Sequence, residues 1–164
     1  MGWTLAEDVG KTSKKPVAVG DRAPDFALQS ANGETVRLGD FVGKKNVVLY
    51  FYPKDESVGC TAEACAFRDS YQDFKDAGAE VIGVSNDSVK SHQGFATHHR
   101  LPFVLLSDQS GALRKLYGVP AWIGFIPGRV TYVIDKDGIV RHVFNSATNM
   151  NAHIRESLQT LQAM

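Results

Sequence analysis

The chain has 164 residues, 43% hydrophobic and 22% charged, which is the size and composition of one globular domain and excludes a largely disordered or collagen-like chain. Eighteen Lys and Arg balance eighteen Asp and Glu, so the basic excess that marks a nucleic-acid binder is missing. No apolar run approaches the roughly 18 residues of a membrane span, and the longest, Val47 to Tyr52, is strand-sized.

Residues 1–20 hold Lys11, Lys14, Lys15, Gly10 and Gly20 with little periodicity. They are expected to form a loosely held arm, with Trp3 and Leu5 as docking side chains, and residues 21–164 to form the domain. The arm has no apolar h-region, and Glu7, Asp8 and a first arginine only at Arg22 do not suit a transit peptide. The expected compartment is a reducing, cytoplasm-like one; a plastid is the alternative if the arm is the stub of a processed precursor.

Phe26 to Gln29 and Thr35 to Leu38 flank Asn32-Gly33, a hairpin signal. Val47 to Tyr52 reads as a central strand covered on both faces, and Pro53 ends it because proline cannot donate to the ladder. A helix is expected from about Thr61 to Ala77, stopped by Gly78. Val81 to Val84 is the next buried strand. Ser88 to His99 is a weaker helix with Asp87 or Ser88 as its N-cap. Phe103 to Leu106 is a short strand, and Ser110 caps a brief helix that Gly118 ends. Val130 to Ile134 and Ile139 to Phe144 flank Asp137-Gly138, a second hairpin signal. Ile154, Leu158 and Leu161 put one apolar stripe on a closing helix. Strands alternating with helices, then a hairpin and a helix, specify an α/β fold. Its mixed central sheet carries helices on both faces and an extra N-terminal hairpin.

The chain has two cysteines, Cys60 and Cys65. In a reducing compartment such a pair is catalytic or metal-binding more often than structural. Cys60 falls between a buried strand and a helix start, beyond the carboxyl end of the strand, where sites in open α/β sheets lie. Free backbone N–H groups and the positive end of the helix macrodipole stabilise a thiolate there. The competing reading is a small buried hydrophobe. Cys60, Ala64, Phe67, Tyr71 and Phe74 share one helical face, so Cys60 heads a core-facing stripe. Cys65 lies about 140° around the helix, toward Asp69, Gln72 and Asp76. Helical geometry puts the two Cα atoms roughly 8–9 Å apart, beyond the ~7 Å a disulfide tolerates. Either they never bond, or the first helical turn unwinds before they do. Unwinding a helix end is cheap compared with global unfolding. Zinc is disfavoured: no further cysteine exists, and His98 and His99 sit on a polar helix face expected to be solvated. The C-x-x-C of a thioredoxin-type reductase is also missing.

Several blocks, in order, carry a resemblance. They are Ala23-Pro24-Asp25-Phe26, Phe51-Tyr52-Pro53-Lys54-Asp55, Gly59-Cys60-Thr61 and Glu63-Ala64-Cys65-Ala66-Phe67-Arg68-Asp69. Gly83-Val84-Ser85 with Asp87-Ser88, Leu101-Pro102-Phe103 with Leu105-Leu106-Ser107-Asp108, and Gly128-Arg129-Val130-Thr131-Tyr132-Val133-Ile134-Asp135 follow. Across residues 20–164 the chain resembles the peroxiredoxins, and within them the peroxiredoxin Q (bacterioferritin comigratory protein) group. The resemblance implies a thioredoxin-like fold and thiol-dependent reduction of hydrogen peroxide and organic hydroperoxides, without metal, haem or flavin. It implies that Cys60 is the peroxidatic cysteine, oxidised to a sulfenic acid, and that Cys65 is the resolving cysteine, forming a Cys60–Cys65 disulfide that thioredoxin or a similar dithiol reduces. Arg129 matches the family's active-site arginine, and Pro53 the proline that shields the pocket. Members of the group are often monomeric; a dimer is the alternative. Ser57 departs from the family's P-x-x-x-T-x-x-C pattern, in which proline usually follows the threonine; here Val58 follows. Serine keeps a hydroxyl that both donates and accepts, but without the β-methyl that restricts χ1.

The apolar segment Val119 to Pro127 reads as a satellite core, a pocket wall or an association patch. His92 is expected on a helix surface or at a cap. Glu56 is expected to face solvent or pair with a cation, because its charge opposes a thiolate at Cys60. Two further readings compete with the peroxidase: a redox-sensing module whose cysteine helix unwinds on oxidation, and an inactive domain of the same fold.

Overall fold

The computed structural model describes residues 15–122 and 126–164. A five-stranded sheet forms its centre. In chain order its strands are β3 (Asn46–Phe51), β4 (Ala79–Ser85), β5 (Val104–Ser107), β8 (Val130–Ile134) and β9 (Val140–Asn145). Their spatial order is β5-β4-β3-β8-β9. β3 pairs parallel with β4, and β4 with β5; β3–β8 and β8–β9 are antiparallel, making the sheet mixed. A separate hairpin joins β1 (Ala27–Gln29) to β2 (Thr35–Arg37). A two-residue pair joins β6 (Ala121–Trp122) to β7 (Ile126–Pro127). The helices are α1 (Val58–Asp69), α2 (Tyr71–Asp76), α3 (Val89–His99), α4 (Ala112–Tyr117) and α5 (Met150–Gln162).

β3 explains the two-sided architecture. All six of its residues are buried, and the pleat sends alternate side chains into different cores. Val47, Leu49 and Phe51 join Phe26, Leu38, Leu113, Tyr117 and Tyr132, under the hairpin and α4. Val48 and Tyr50, with Tyr52 beyond the strand end, join Cys60, Phe67, Phe74, Phe95, Ile154 and Leu161, under the other helices. Burying each large side chain stabilises the fold by about 1.5–3 kcal/mol, so the strand belongs to both cores at once.

The expected helix from Thr61 to Ala77 differs in two ways. It begins at Val58, with Ser57 extended before it (φ −68°, ψ 154°), and it breaks at Ser70 (φ −103°, ψ 8°) into α1 and α2. The break leaves the apolar face intact, since Phe67 and Phe74 stay buried with ring centroids 5.5 Å apart. Ser88 caps α3, accepting from the Ser91 N–H at 3.1 Å. The cap of α4 comes from Asp108 rather than from Ser110 alone: its carboxylate accepts from the Leu113 and Arg114 N–H groups at 3.1 and 3.0 Å. Gly118 ends α4 with φ 72°, a left-handed conformation that favours glycine.

Val17 is buried and donates its N–H to Tyr117 O, and Gly20 donates to Val140 O. The rest of the expected arm, residues 1–14 with Trp3 and Leu5, lies outside the described residues, as do Ile123 to Phe125 of the apolar segment. Among the described residues no helix is long and apolar enough to cross a membrane.

Candidate active site

The loop from β3 to α1 is pinned by one carboxylate. Asp55 accepts from the Tyr52 hydroxyl at 2.6 Å and from the Ser91 hydroxyl at 2.8 Å. His92 Nδ1 stands 2.7 Å from the same carboxylate, and His92 Nε2 donates to Leu106 O at 2.9 Å. The Asp55 N–H donates to the Asp87 carboxylate at 2.8 Å. Burial works to raise the Asp55 pKa, but the contacts from His92, Tyr52 and Ser91 outweigh it and hold the carboxyl below its ordinary range. His92 is therefore fully buried and not a surface or capping residue. Its helix is polar, but the ring reaches acceptors on both sides.

Cys60 is the third residue of α1, buried to 1% exposure. Arg129, on the turn before β8, is 4% exposed. Its Nη1 stands 3.5 Å from Cys60 Sγ and 2.7 Å from Glu63 Oε1, and its Nε donates to Ala147 O at 3.1 Å. Glu63 lies three residues beyond Cys60, on the same face of α1, and is wholly buried. Burial pushes its pKa up to about 7, against the pull of Arg129. Its other oxygen, Oε2, and the hydroxyl of Tyr50 are buried without a hydrogen-bond partner. His153 Nδ1 approaches that oxygen at 3.6 Å. His153 Nδ1 sits 2.8 Å from the Thr131 hydroxyl, and its Nε2 donates to Ser146 O at 2.9 Å, which suits a neutral ring. Burial pushes the His153 pKa down to about 4. The site thus combines a sulfur, a guanidinium, a carboxyl and a neutral imidazole, nearly all shielded from water.

Of the residues singled out from sequence, Cys60 and Arg129 are brought into direct contact. Ser57 is half-buried in the turn before them, its hydroxyl donating to Lys54 O at 2.9 Å. Pro53 is half-buried just past β3. Cys65 is partly buried, and both cysteines are free. α1 runs unbroken through both, which keeps their Cα atoms roughly 8–9 Å apart. Glu56 is exposed and pairs with His98 and His99 at 2.9 and 2.8 Å. Glu63, His153 and Asp55 were not singled out from sequence. Asp55 and Glu63 stand within the blocks that carry the resemblance, and Glu63 is also at i+3 from Cys60, but neither signal names a role.

A protein-family model, the AhpC/TSA family, matches residues 19–143. The chain belongs to this family of peroxiredoxins, thiol-dependent peroxidases acting on a peroxide with a thiol reductant. Within it the chain falls in the peroxiredoxin Q group. It is 51% identical over 154 residues to a chloroplastic peroxiredoxin Q of Triticum aestivum, covering 93% of this chain and 68% of that protein. Among solved structures it is similar to the peroxidoxin BcpB of Mycobacterium tuberculosis, with TM-score 0.84, 37% identity and coverage of 90% and 98% of the two chains. It is also similar to the bacterioferritin comigratory protein of Xanthomonas campestris, with TM-score 0.79, 30% identity and coverage of 90% and 96%. The latter was solved as trapped intermediate and ligand complexes that bear on alkyl peroxide reduction by that protein. These neighbours share the thioredoxin-like fold.

Proposed function

We propose that this peroxidase works through Cys60 and Cys65, and that residues 21–164 form the catalytic unit. The Cys60 thiolate attacks the terminal oxygen of a hydroperoxide. The O–O bond breaks, the sulfur is oxidised to a sulfenic acid, and the other oxygen leaves as water or an alcohol after taking a proton. Arg129 holds the sulfur and stabilises the charge that builds on the departing oxygen. The single observation that carries this reading is the 3.5 Å approach of Arg129 Nη1 to Cys60 Sγ, at the start of a helix. The Ser57 hydroxyl has free lone pairs with which to accept from the peroxide, and Pro53 shields the loop.

The first turn of α1 then unwinds. The Cys65 thiol attacks the sulfenic sulfur, a disulfide forms, and one water leaves. Thioredoxin or a similar dithiol takes up the oxidation. Both cysteines lie on one helix, so a monomer suffices. Neither nucleic acid nor membrane takes part. The substrates are alkyl hydroperoxides alongside hydrogen peroxide, a reading supported by the alkyl peroxide reduction of the Xanthomonas relative. The relatives named chloroplastic favour a plastid over the cytoplasm.

The test is single-turnover oxidation of three variants. Cys65→Ser is expected to consume one equivalent of peroxide and leave a trappable sulfenic acid. Cys60→Ser is expected to show no fast reaction. Ser57→Thr is expected to react at a rate near the parent's or faster. Equal activity of the two cysteine variants would overturn the assignment.

A further inference from the structure

Three side chains outside the proposed chemistry meet on the surface next to the Cys60 loop. Glu56 precedes Ser57 in that loop, and His98 and His99 close α3. Glu56 Oε1 is 2.8 Å from His99 Nε2, and Oε2 is 2.9 Å from His98 Nδ1. One donor atom from each of the three lies within 4.8 Å of the other two. The two imidazoles lie against each other, ring centroids 4.1 Å apart. Loop and helix are more than forty residues apart in the chain, so the fold itself creates this meeting.

We propose that Glu56, His98 and His99 form a surface site for one divalent transition-metal ion of the zinc class, tying the Cys60 loop to the end of α3. Two imidazoles and one carboxylate are the donor set such ions prefer, and calcium and magnesium, which want oxygen alone, are not served by it. Ligand distances of about 2.0–2.2 Å put tetrahedral donors roughly 3.3 Å apart. The carboxylate oxygens already stand 2.9 and 2.8 Å from the two imidazole nitrogens, and all three donors lie within 4.8 Å of one another, so side-chain rotation brings them to one ion. His98 and Glu56 face solvent, leaving room for water as the remaining ligand. The histidines lie in the last turn of α3, where the helix macrodipole favours a cation. Arg68 works against this in part, its guanidinium occupying His99 O at 2.8 Å. Asp55, Asp87 and His92 also cluster, but Tyr52, Ser91, Ser85 and Leu106 O already satisfy them in a largely buried network.

The experiment uses tag-free protein carrying Cys60→Ser and Cys65→Ser, so that thiolates cannot hold the metal. Zinc and cobalt are titrated to about 100 micromolar, with binding followed by calorimetry and by the visible absorption of tetrahedral cobalt. One ion per chain is expected. Loss of Glu56 (Glu56→Gln), His98 (His98→Ala) or His99 (His99→Ala) is expected to weaken binding at least about tenfold. His142→Ala, on a different surface pair, is expected to leave it unchanged. Absence of binding in this range, or binding that survives all three ligand substitutions, overturns the proposal. Because the thiols are absent from the test protein, either result leaves the peroxidase assignment standing or falling on its own experiment.

Discussion

Arg129 and Glu63 form a buried ion pair, Nη1 to Oε1 at 2.7 Å, with side chains 5% and 0% exposed. The same nitrogen reaches Cys60 Sγ at 3.5 Å, so one guanidinium nitrogen faces both the carboxylate and the sulfur. Such a carboxylate is costly to ionise in place, which is why burial lifts its pKa to about 7.

That shift sets a pH dependence with a definite sign. The folded value, about 7, lies above the ordinary 4.5. Below 4.5 both states hold the proton and Glu63 carries no penalty. As pH rises toward 7 the unfolded chain releases the proton while the fold retains it, so the fold loses stability. Relative to Glu63→Gln, which adds only a constant offset, the parent is expected to lose about 2–3 kcal/mol between about pH 5 and about pH 8. Urea unfolding of both proteins at the two pH values checks this. A difference that stays flat with pH would show that Glu63 ionises in the fold as readily as in water.

Gly59 has no room for a side chain. A Cβ there would stand 2.8 Å from Met150 Cε and 2.9 Å from Arg129 Nη2. The Met150 side chain can swing away, but the guanidinium cannot move without leaving Cys60. Gly59→Ala is expected to fold normally, since alanine suits a helix better than glycine. Its peroxide reaction is expected to slow by about tenfold or more through displacement of Arg129. Stopped-flow oxidation, with circular dichroism as the folding control, measures both. An unchanged rate would mean that Met150 alone gives way, or that Arg129 does not orient the peroxide.

The parts of the structure that were legible in the sequence are those set by local pattern. Asn32-Gly33 and Asp137-Gly138 turn where expected, with Gly33 at φ 86° and Gly138 at φ 81°. Cys60, Ala64, Phe67 and Phe74 are buried along one face, as their spacing required. Contacts between distant segments were not legible. Glu63 reads as an ordinary helix-surface glutamate until Arg129, 66 residues away, is folded against it. His92 sits among polar neighbours, and Asp55, 37 residues earlier, together with Leu106 O makes its burial tolerable. The early start of α1 was hidden because Val58-Gly59 has weak helix propensity.

Asp55 is the centre of the loop's anchorage. Its two oxygens face Tyr52, Ser91 and His92 within 2.8 Å, and its side chain is 2% exposed. Asp55→Asn is expected to destabilise the protein by about 3 kcal/mol at neutral pH, because removing one charged partner leaves the others buried and unmatched. The Asp55 pKa is lowered in the fold, so its contribution is present above the ordinary value of 3.8 and is lost as pH falls through the folded value. The gap between parent and variant should therefore narrow in acid. Denaturant unfolding across the acid range reads it, and a neutral-pH cost below about 1 kcal/mol would contradict the anchoring role.

Val58 is the first residue of α1 and its side chain is 90% exposed, so it contributes nothing to either core. The first helical N–H has no partner within the helix, and proline suits that position. Ser57 before it is extended, at φ −68° and ψ 154°, as a residue preceding proline prefers to be. Val58→Pro is therefore expected to stabilise the protein by about 0.4–1 kcal/mol, by removing conformations from the unfolded chain. The same restriction applies to the locally unwound turn that Cys60–Cys65 bonding requires. After oxidation, disulfide formation should slow by roughly two- to fivefold, the rate equivalent of that energy, while the attack on peroxide keeps its speed. Urea unfolding gives the first quantity, and stopped-flow separation of the two oxidation phases gives the second. A stabilised variant whose disulfide forms as fast as the parent's would show that the first turn of α1 does not unwind during the cycle.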